Sequence, residues 1–361
     1  MRKLDKYILK KYLTSFIFTL LILIPVAIAI DVSEKIGKFI AKPDLTFIEI
    51  VKDYYLPFIL NYVFNFMALP LFIAVILFTS KLANDTEIVA IHSAGISFKR
   101  FLRPYIIGAG IVASVALVFN HFVVPRTNGT FENFKEENLR RRPKSKTQVS
   151  QVNLQLDEHN YVYFRNFNLK SNYGYDFSYE RFDGLKLKYK IIAGNIRFNP
   201  KDSLYTLNNY KKRFVNAKGD SIMTARKMDT TFNFFPKDLL YVDYLARAMT
   251  SQKLSEHIKI SSDRGVKNLN QYKVELYKRT SLPISSFVLT IIAVALASRK
   301  RRGGVGINLA LGIALMFIYV FFMKVAEVLG AGATYNPLFM VWLPKILFGI
   351  LAVYLYLNAK R

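Results

Sequence analysis

Six stretches of apolar sequence, each near the length a helix needs to cross a bilayer, constrain this chain more than any other feature. A hydrocarbon core about 30 Å thick is spanned by roughly 20 helical residues. The blocks run from about Tyr12 to Ile30, Leu56 to Thr79, Tyr105 to Val124, Leu282 to Ser298, Gly306 to Leu329 and Leu338 to Leu357. A length of 361 residues would otherwise suggest two soluble domains, but the apolar residues are gathered into blocks with the charges between them. The first block is too long for a cleaved leader, no small-x-small cleavage site follows it, and five more blocks come after. Pro25 is expected to kink it, which neighbouring helices tolerate.

The charges between the blocks predict orientation. The leader, with Arg2, Lys3, Lys6, Lys10 and Lys11 against Asp5, carries +4. The loop after the second block carries +2, the Arg299-Lys300-Arg301-Arg302 run +4, and the Lys360-Arg361 tail +2. The alternate short loops differ: Asp31 to Tyr55 sums to −1, and Gly330 to Pro337 has no charge. The positive-inside rule therefore predicts both termini in the cytoplasm. The Arg-Lys-Arg-Arg run, held between two spans, reads as a topology anchor and not as a nucleic-acid patch. Trp342 and Tyr335 fall where an outer aromatic belt is expected.

The long polar stretch from Pro125 to Ser281 is then predicted to lie outside, with Arg126 to Arg279 carrying +14 of the formal +26. It begins charged and helical. From Thr147 to about Phe235 the pattern turns to period two in TQVSQVNLQL, YVYFRNF, GLKLKYKIIAGNIRF, SLYTLNNYKKRFVN and KMDTTFNFF, with turn signals between them. A small β-sandwich or jelly roll is predicted. Helical periodicity returns from about Tyr241, with one helix over Ser251 to Ile260 and another from about Val266 into the fourth span at Pro283. The organisation predicted is 1–124, spans one to three with a short cytoplasmic helix near 84–95; 125–146, linker; 147–240, β-domain; 241–281, helical connector; and 282–361, spans four to six.

Residues for bond-making chemistry are not grouped. His92, His121, His159 and His257 are scattered without metal-ligand spacing, and with no cysteine there is no thiolate site or nucleophile. No nucleotide-binding or hydrolase motif occurs, so any ATP and Mg²⁺ would belong to another polypeptide. Two local patterns stand out instead. Asn84 or Asp85 can cap a short helix with Glu87 in its first turn, Ile88, Val89 and Ile91 as its apolar face, and Gly95 as its stop. Lys324 and Glu327, three residues apart near the outer end of span five, share a helix face and can pair; Asp31, Lys35 and Lys38 follow span one at a similar level. An ordinary connector helix and a local ion pair beside snorkelling lysines fit these patterns as well as any functional reading.

In their order along the chain, LDKYILKKYLTSF at Leu4 to Phe16, DTEIVAIHSAGIS at Asp85 to Ser97, FVVPRTN at Phe122 to Asn128, FFPKDLLYVDYLARAMTSQKLSEHI and YKVELYKRTSLPISSFVLTIIAVALAS resemble the LptF/LptG (YjgP/YjgQ) family of lipopolysaccharide-export permeases. The resemblance implies a six-helix membrane protein with an inserted periplasmic jelly roll between spans three and four, set in the bacterial inner membrane. It implies a half-transporter paired with a homologous permease, a cytoplasmic ABC ATPase dimer that holds the nucleotide, periplasmic bridge proteins, and lipopolysaccharide as cargo. The helix carrying Asp85, Glu87, Ile88, Ile91 and Gly95 would be the coupling helix that docks on the ATPase. Lys35, Lys38 and Lys324 would meet lipid phosphates, with Lys345 a further candidate; Asp31 falls where a gate lysine is expected. The alternatives are a membrane-anchored assembly or sensory protein whose outer domain binds a peptide or glycan, and a lipid-acting membrane enzyme, which the missing catalytic constellation disfavours.

Overall fold

A computed structural model describes residues 3–139, 148–157, 159–200, 202–215, 219–239, 246–263, 269–299 and 304–359. The chain divides into a membrane unit (Met1–Leu139, Val274–Gly330, Asn336–Arg361) and a β unit (Arg140–Lys273, Ala331–Tyr335).

In the membrane unit, helix α1 (Lys3–Ile40) runs through Pro25 without interruption. The second apolar block is broken: α2 (Phe47–Phe66) and α3 (Ala68–Asn84) meet at a 62° bend around Met67. Pro70 contributes to this break, although Pro25, Pro104, Pro283 and Pro344 lie inside continuous helices. Pro70 has no N–H to give the Phe66 carbonyl one turn back, and its ring clashes there, at the residue where the first helix stops. After α4 (Glu87–Ser93), helix α5 (Phe98–Leu139) continues well beyond the predicted third span, with π-helical turns at Phe119–Val123 and Lys135–Leu139. Among the described residues five helices are long and apolar enough to cross a membrane, or six if the bent pair counts as one span.

The core of this unit is aromatic at its centre, with Tyr12, Phe72, Phe101, Tyr105 and Tyr319 buried. Hydroxyls inside it pair across helices: Tyr12 with Thr290 at 2.9 Å, Thr79 with Tyr105 at 3.1 Å, and Tyr319 donates to Ser285 at 2.5 Å. Where hydrocarbon surrounds a bundle, such bonds and close backbone approach replace the hydrophobic drive that holds soluble helices together. Gly108 provides the close approach, since a Cβ there would lie 2.6 Å from the Tyr12 ring.

The β unit corrects the predicted sandwich. Its strands β1 (Gln148–Gln155), β2 (Asn160–Asn168), β3 (Tyr173–Asp183), β4 (Lys186–Asn199), β5 (Leu204–Phe214) and β6 (Ser221–Thr230) form one six-stranded antiparallel sheet in which each strand pairs with the next. This is a meander, without the crossovers of a jelly roll. Strand β3 falls where no strand was predicted, and β6 lies earlier than KMDTTFNFF suggested.

One sheet serves in place of two because it is creased. Inward positions step by two along each strand and then once by three, from Val149 to Val152, Phe164 to Phe167, Gly174 to Phe177, Ala193 to Ile196 and Leu207 to Tyr210. The ladder is interrupted on one line across all six strands, through Gln151, Arg165, Asp176, Gly194, Asn209 and Arg226. On alternate strands this line is left-handed, with φ of 52° at Gln151, 49° at Asp176 and 56° at Asn209. Asn and Asp adopt that backbone at lower cost than other side-chain-bearing residues. A one-residue change of phase would normally turn a strand inside out. Here every strand changes phase together, so both halves keep a common buried face.

Phe232, Phe234 and Phe235 follow β6 onto that face, and Tyr205 donates to the Phe234 carbonyl at 2.8 Å. Gly174 is required within it, because a Cβ would come within 2.7 Å of Phe167. At its rim, burial and then the neighbouring Tyr189 push the Tyr179 phenol well above its ordinary pKa.

Candidate functional site

The short helix after α3 differs in detail from its prediction. Asp85 does not cap it; its N–H closes the preceding helix on the Lys81 carbonyl at 2.9 Å. The residue before α4 is Thr86, left-handed at φ 60° and without a side-chain capping bond. The stop at Gly95 has the geometry of a left-handed C-terminal cap. Its φ is 77°, its N–H reaches the His92 carbonyl at 2.9 Å, and the next N–H, of Ile96, reaches back to Ile91 at 3.3 Å. Glycine is favoured there because any Cβ would strain that backbone.

The predicted apolar face is split. Ile88 is buried and Ile91 packs against the core, so both anchor the helix to its own unit. Val89 points away and is 57% exposed, with Ala90, His92 and Ser93 also exposed. The surface that a partner could meet is thus centred on Val89, which periodicity alone had grouped with the anchors. Glu87 is half-buried and accepts from the Tyr7 hydroxyl of α1 at 2.9 Å. A push on α4 would therefore reach α1 through this bond.

The predicted headgroup lysines sit in two clusters. At the end of α1, Asp31 is only 6% exposed and accepts from the Tyr54 hydroxyl at 3.0 Å and from Lys35. The Lys35 ammonium also lies 5.4 Å from the Tyr54 ring centre. Phe39, Tyr54, Phe134 and Leu139 make the apolar cluster beside it. Lys35 is thus already neutralised within the chain, whereas Lys38, one turn on, is exposed.

After α6 (Ser251–Asp263) in chain order come α7 (Asn270–Ala297), α8 (Gly304–Ala331) and α9 (Pro337–Ala359), and the second cluster joins these last three. Lys324 and Glu327 pair at 2.9 Å, as their spacing predicted. Glu327 is shared with Lys278, 4.0 Å away, which also approaches Glu275 at 3.4 Å. Lys324 remains exposed, while Lys345 is buried and donates to its own helix at the Val341 carbonyl, 2.9 Å away. The sequence reading missed Glu275, Lys278 and Tyr54. The three-residue spacing of Glu275 and Lys278 was a signal; the approach of Tyr54 to Asp31 crosses between helices and had none.

A bundle of bilayer-length helices carrying an inserted antiparallel β unit, with charge clusters along its helices, defines a multi-pass membrane protein. The chain belongs to the family described as lipopolysaccharide export system permease LptF/LptG, whose model matches residues 6–358. This places it among multi-pass inner-membrane permeases, which are transporters and not enzymes in themselves. No curated protein matches the chain.

Proposed function

We propose that this chain is one permease subunit of an ATP-driven exporter that extracts lipopolysaccharide from the inner membrane and passes it to a periplasmic bridge. The family match over residues 6–358 carries the reading. Both termini and α4 lie in the cytoplasm, following the charge asymmetry of the loops, and the β unit lies in the periplasm. A homologous permease pairs with this chain to enclose a lipid cavity between the two, and a cytoplasmic ABC ATPase dimer holds ATP and Mg²⁺.

In this mechanism the ATPase meets the exposed Val89 side of α4, and Glu87 passes its displacement to α1 through Tyr7. Lys38 and Lys324 receive lipid phosphates first, because Lys38 is exposed and Lys324 shares its counter-ion with Lys278. Lys35 joins only if Asp31 is released to Tyr54. An acyl chain would reach the inner face of the β unit only where Phe232, Phe234 and Phe235 give way, since they fill it.

Purification from the native membrane in mild detergent is expected to recover a homologous multi-span partner and an ABC ATPase. Recovery of neither sinks the reading. A Glu87→Ala chain that still assembles and exports lipid at the unaltered rate would remove Glu87 from coupling and leave the rest standing.

A further inference from the structure

The amino-terminal half of α5 carries three cations, and among the described residues only one of them meets an acid. Arg100 forks onto Asp5 of α1 at 2.6 and 2.8 Å. Lys99 and Arg103 are exposed and meet no acid among the described residues. Neither gains from its own helix, whose amino-terminal end disfavours positive charge. With Leu102, Ile106 and Ile107 they occupy positions i, i+3, i+4, i+7 and i+8, so all five lie on one face.

That face forms one wall of a groove of about 430 Å³, closed by Ile291 of α7 and by Val353 and Tyr356 of α9. Its lining is apolar along its length, with the two cations at one end. From Lys99 to Ile107 the helix rises about 12 Å, most of the roughly 15 Å depth of one leaflet's hydrocarbon. A polar solute would leave the apolar walls unmatched, and a hydrocarbon chain alone would leave two cations without counter-charge. A molecule with an anionic head and an acyl tail satisfies both.

We propose that this groove binds an anionic phospholipid of the cytoplasmic leaflet, its phosphate on Lys99 and Arg103 and one acyl chain along Leu102, Ile106, Ile291 and Val353. Basic pockets between spans on the cytoplasmic side are chemically suited to such headgroups. The site is separate from the outer lysine clusters and rests only on the cytoplasmic placement of the start of α5. It lies immediately after the turn that joins α4 to α5, so an occupied groove braces α5, α7 and α9 beside the proposed coupling helix.

Native mass spectrometry of the full chain, released from nanodiscs of equal phosphatidylglycerol and phosphatidylcholine, tests this. The unaltered chain is expected to retain phosphatidylglycerol about tenfold over phosphatidylcholine, and the Lys99→Gln/Arg103→Gln chain to retain both alike. Ile106→Trp, which fills the groove but keeps both cations, is expected to lose bound lipid of either kind. Equal retention of the two lipids by the unaltered chain, or an unchanged preference in the double variant, overturns the proposal. So does a photocrosslinker at Arg103 that captures only the ATPase. Lipid retention is read without transport or ATP, so its failure is distinguishable from failure of the permease reading, which the partner pull-down decides.

Discussion

Both units bury aromatic rings, but they differ in what they expose and in the polar groups they bury. In the β unit the aromatic side chains Phe164, Phe177, Tyr205 and Phe234 are inside, and the ion pairs Arg165–Asp176 and Lys188–Asp183 lie exposed on the surface. In the membrane unit Phe18, Phe317 and Phe321 are each about two-thirds exposed, while Ser285, Ser286, Thr290 and Asn308 are fully or almost fully buried. One chain thus follows two solvents. Against water, burying apolar area stabilises by about 25 cal/mol per Å². Against lipid that gain is absent, and packing fit and interhelical hydrogen bonds must hold the helices.

If this contrast is right, the largest single-residue effect belongs to the β unit. Phe164 is fully buried and touches Phe167, Phe177 and Phe234 with ring centres 5.1–5.7 Å apart. Phe164→Ala is expected to cost about 3–5 kcal/mol, the usual range for deleting a buried aromatic ring. Urea unfolding of the full chain, read by limited proteolysis within the β unit, measures it. A loss below 1 kcal/mol would mean that the creased face is not a closed core.

The membrane unit is expected to respond less to lost area and more to lost fit. Gly108→Val places a Cβ 2.6 Å from the Tyr12 ring, which is fully buried and confined by the Phe78 and Tyr105 rings, so it has little room to swing aside. A cost of about 1–3 kcal/mol follows from overpacking. Detergent-induced unfolding in SDS is the measurement. A neutral result would show that α1 and α5 slide freely past each other, and packing would then not be what joins them.

The contrast also explains how much of the fold the sequence disclosed. Apolar blocks are unmistakable because lipid requires every outward side chain of a span to be apolar, and α7, α8 and α9 fall where they were predicted. Strands β1, β2, β4 and β5 alternate clearly over most of their length. Strand β3 was missed because the phase change at Tyr175–Asp176 halves it and Gly174 removes an inward side chain. The crease had one local trace, the polar pairs Asn208–Asn209 and Gly194–Asn195 inside otherwise alternating runs, but its alignment across six strands needs the register. The break at Met67 left a trace in Pro70, but Pro25, Pro104, Pro283 and Pro344 leave their helices continuous, so proline alone does not mark it. At the candidate site, the Lys324–Glu327 pair and the Gly95 stop followed from spacing. The outward turn of Val89 did not, because Ile88, Val89 and Ile91 are equally apolar and only the tertiary packing separates them.

The smallest predicted effect is the sharpest comparison, since the same atom is removed from each unit. Tyr205→Phe deletes the hydroxyl that donates to the Phe234 carbonyl at 2.8 Å, and Tyr12→Phe deletes the one paired with Thr290 at 2.9 Å. In the β unit the buried carbonyl loses a donor that water can still supply in the unfolded chain. The expected cost is about 0.5–1.5 kcal/mol, the ordinary net value of such a bond. In the membrane unit Thr290 sits in a helix and can turn its hydroxyl to the carbonyl one turn back. The chain unfolded within lipid also finds partners for its polar groups, so the expected cost falls to about 0.6 kcal/mol. Urea unfolding for Tyr205→Phe and SDS unfolding for Tyr12→Phe give the two numbers. A Tyr12→Phe loss above 2 kcal/mol would show that Thr290 has no second acceptor, and that this single bond fixes α1 against α7.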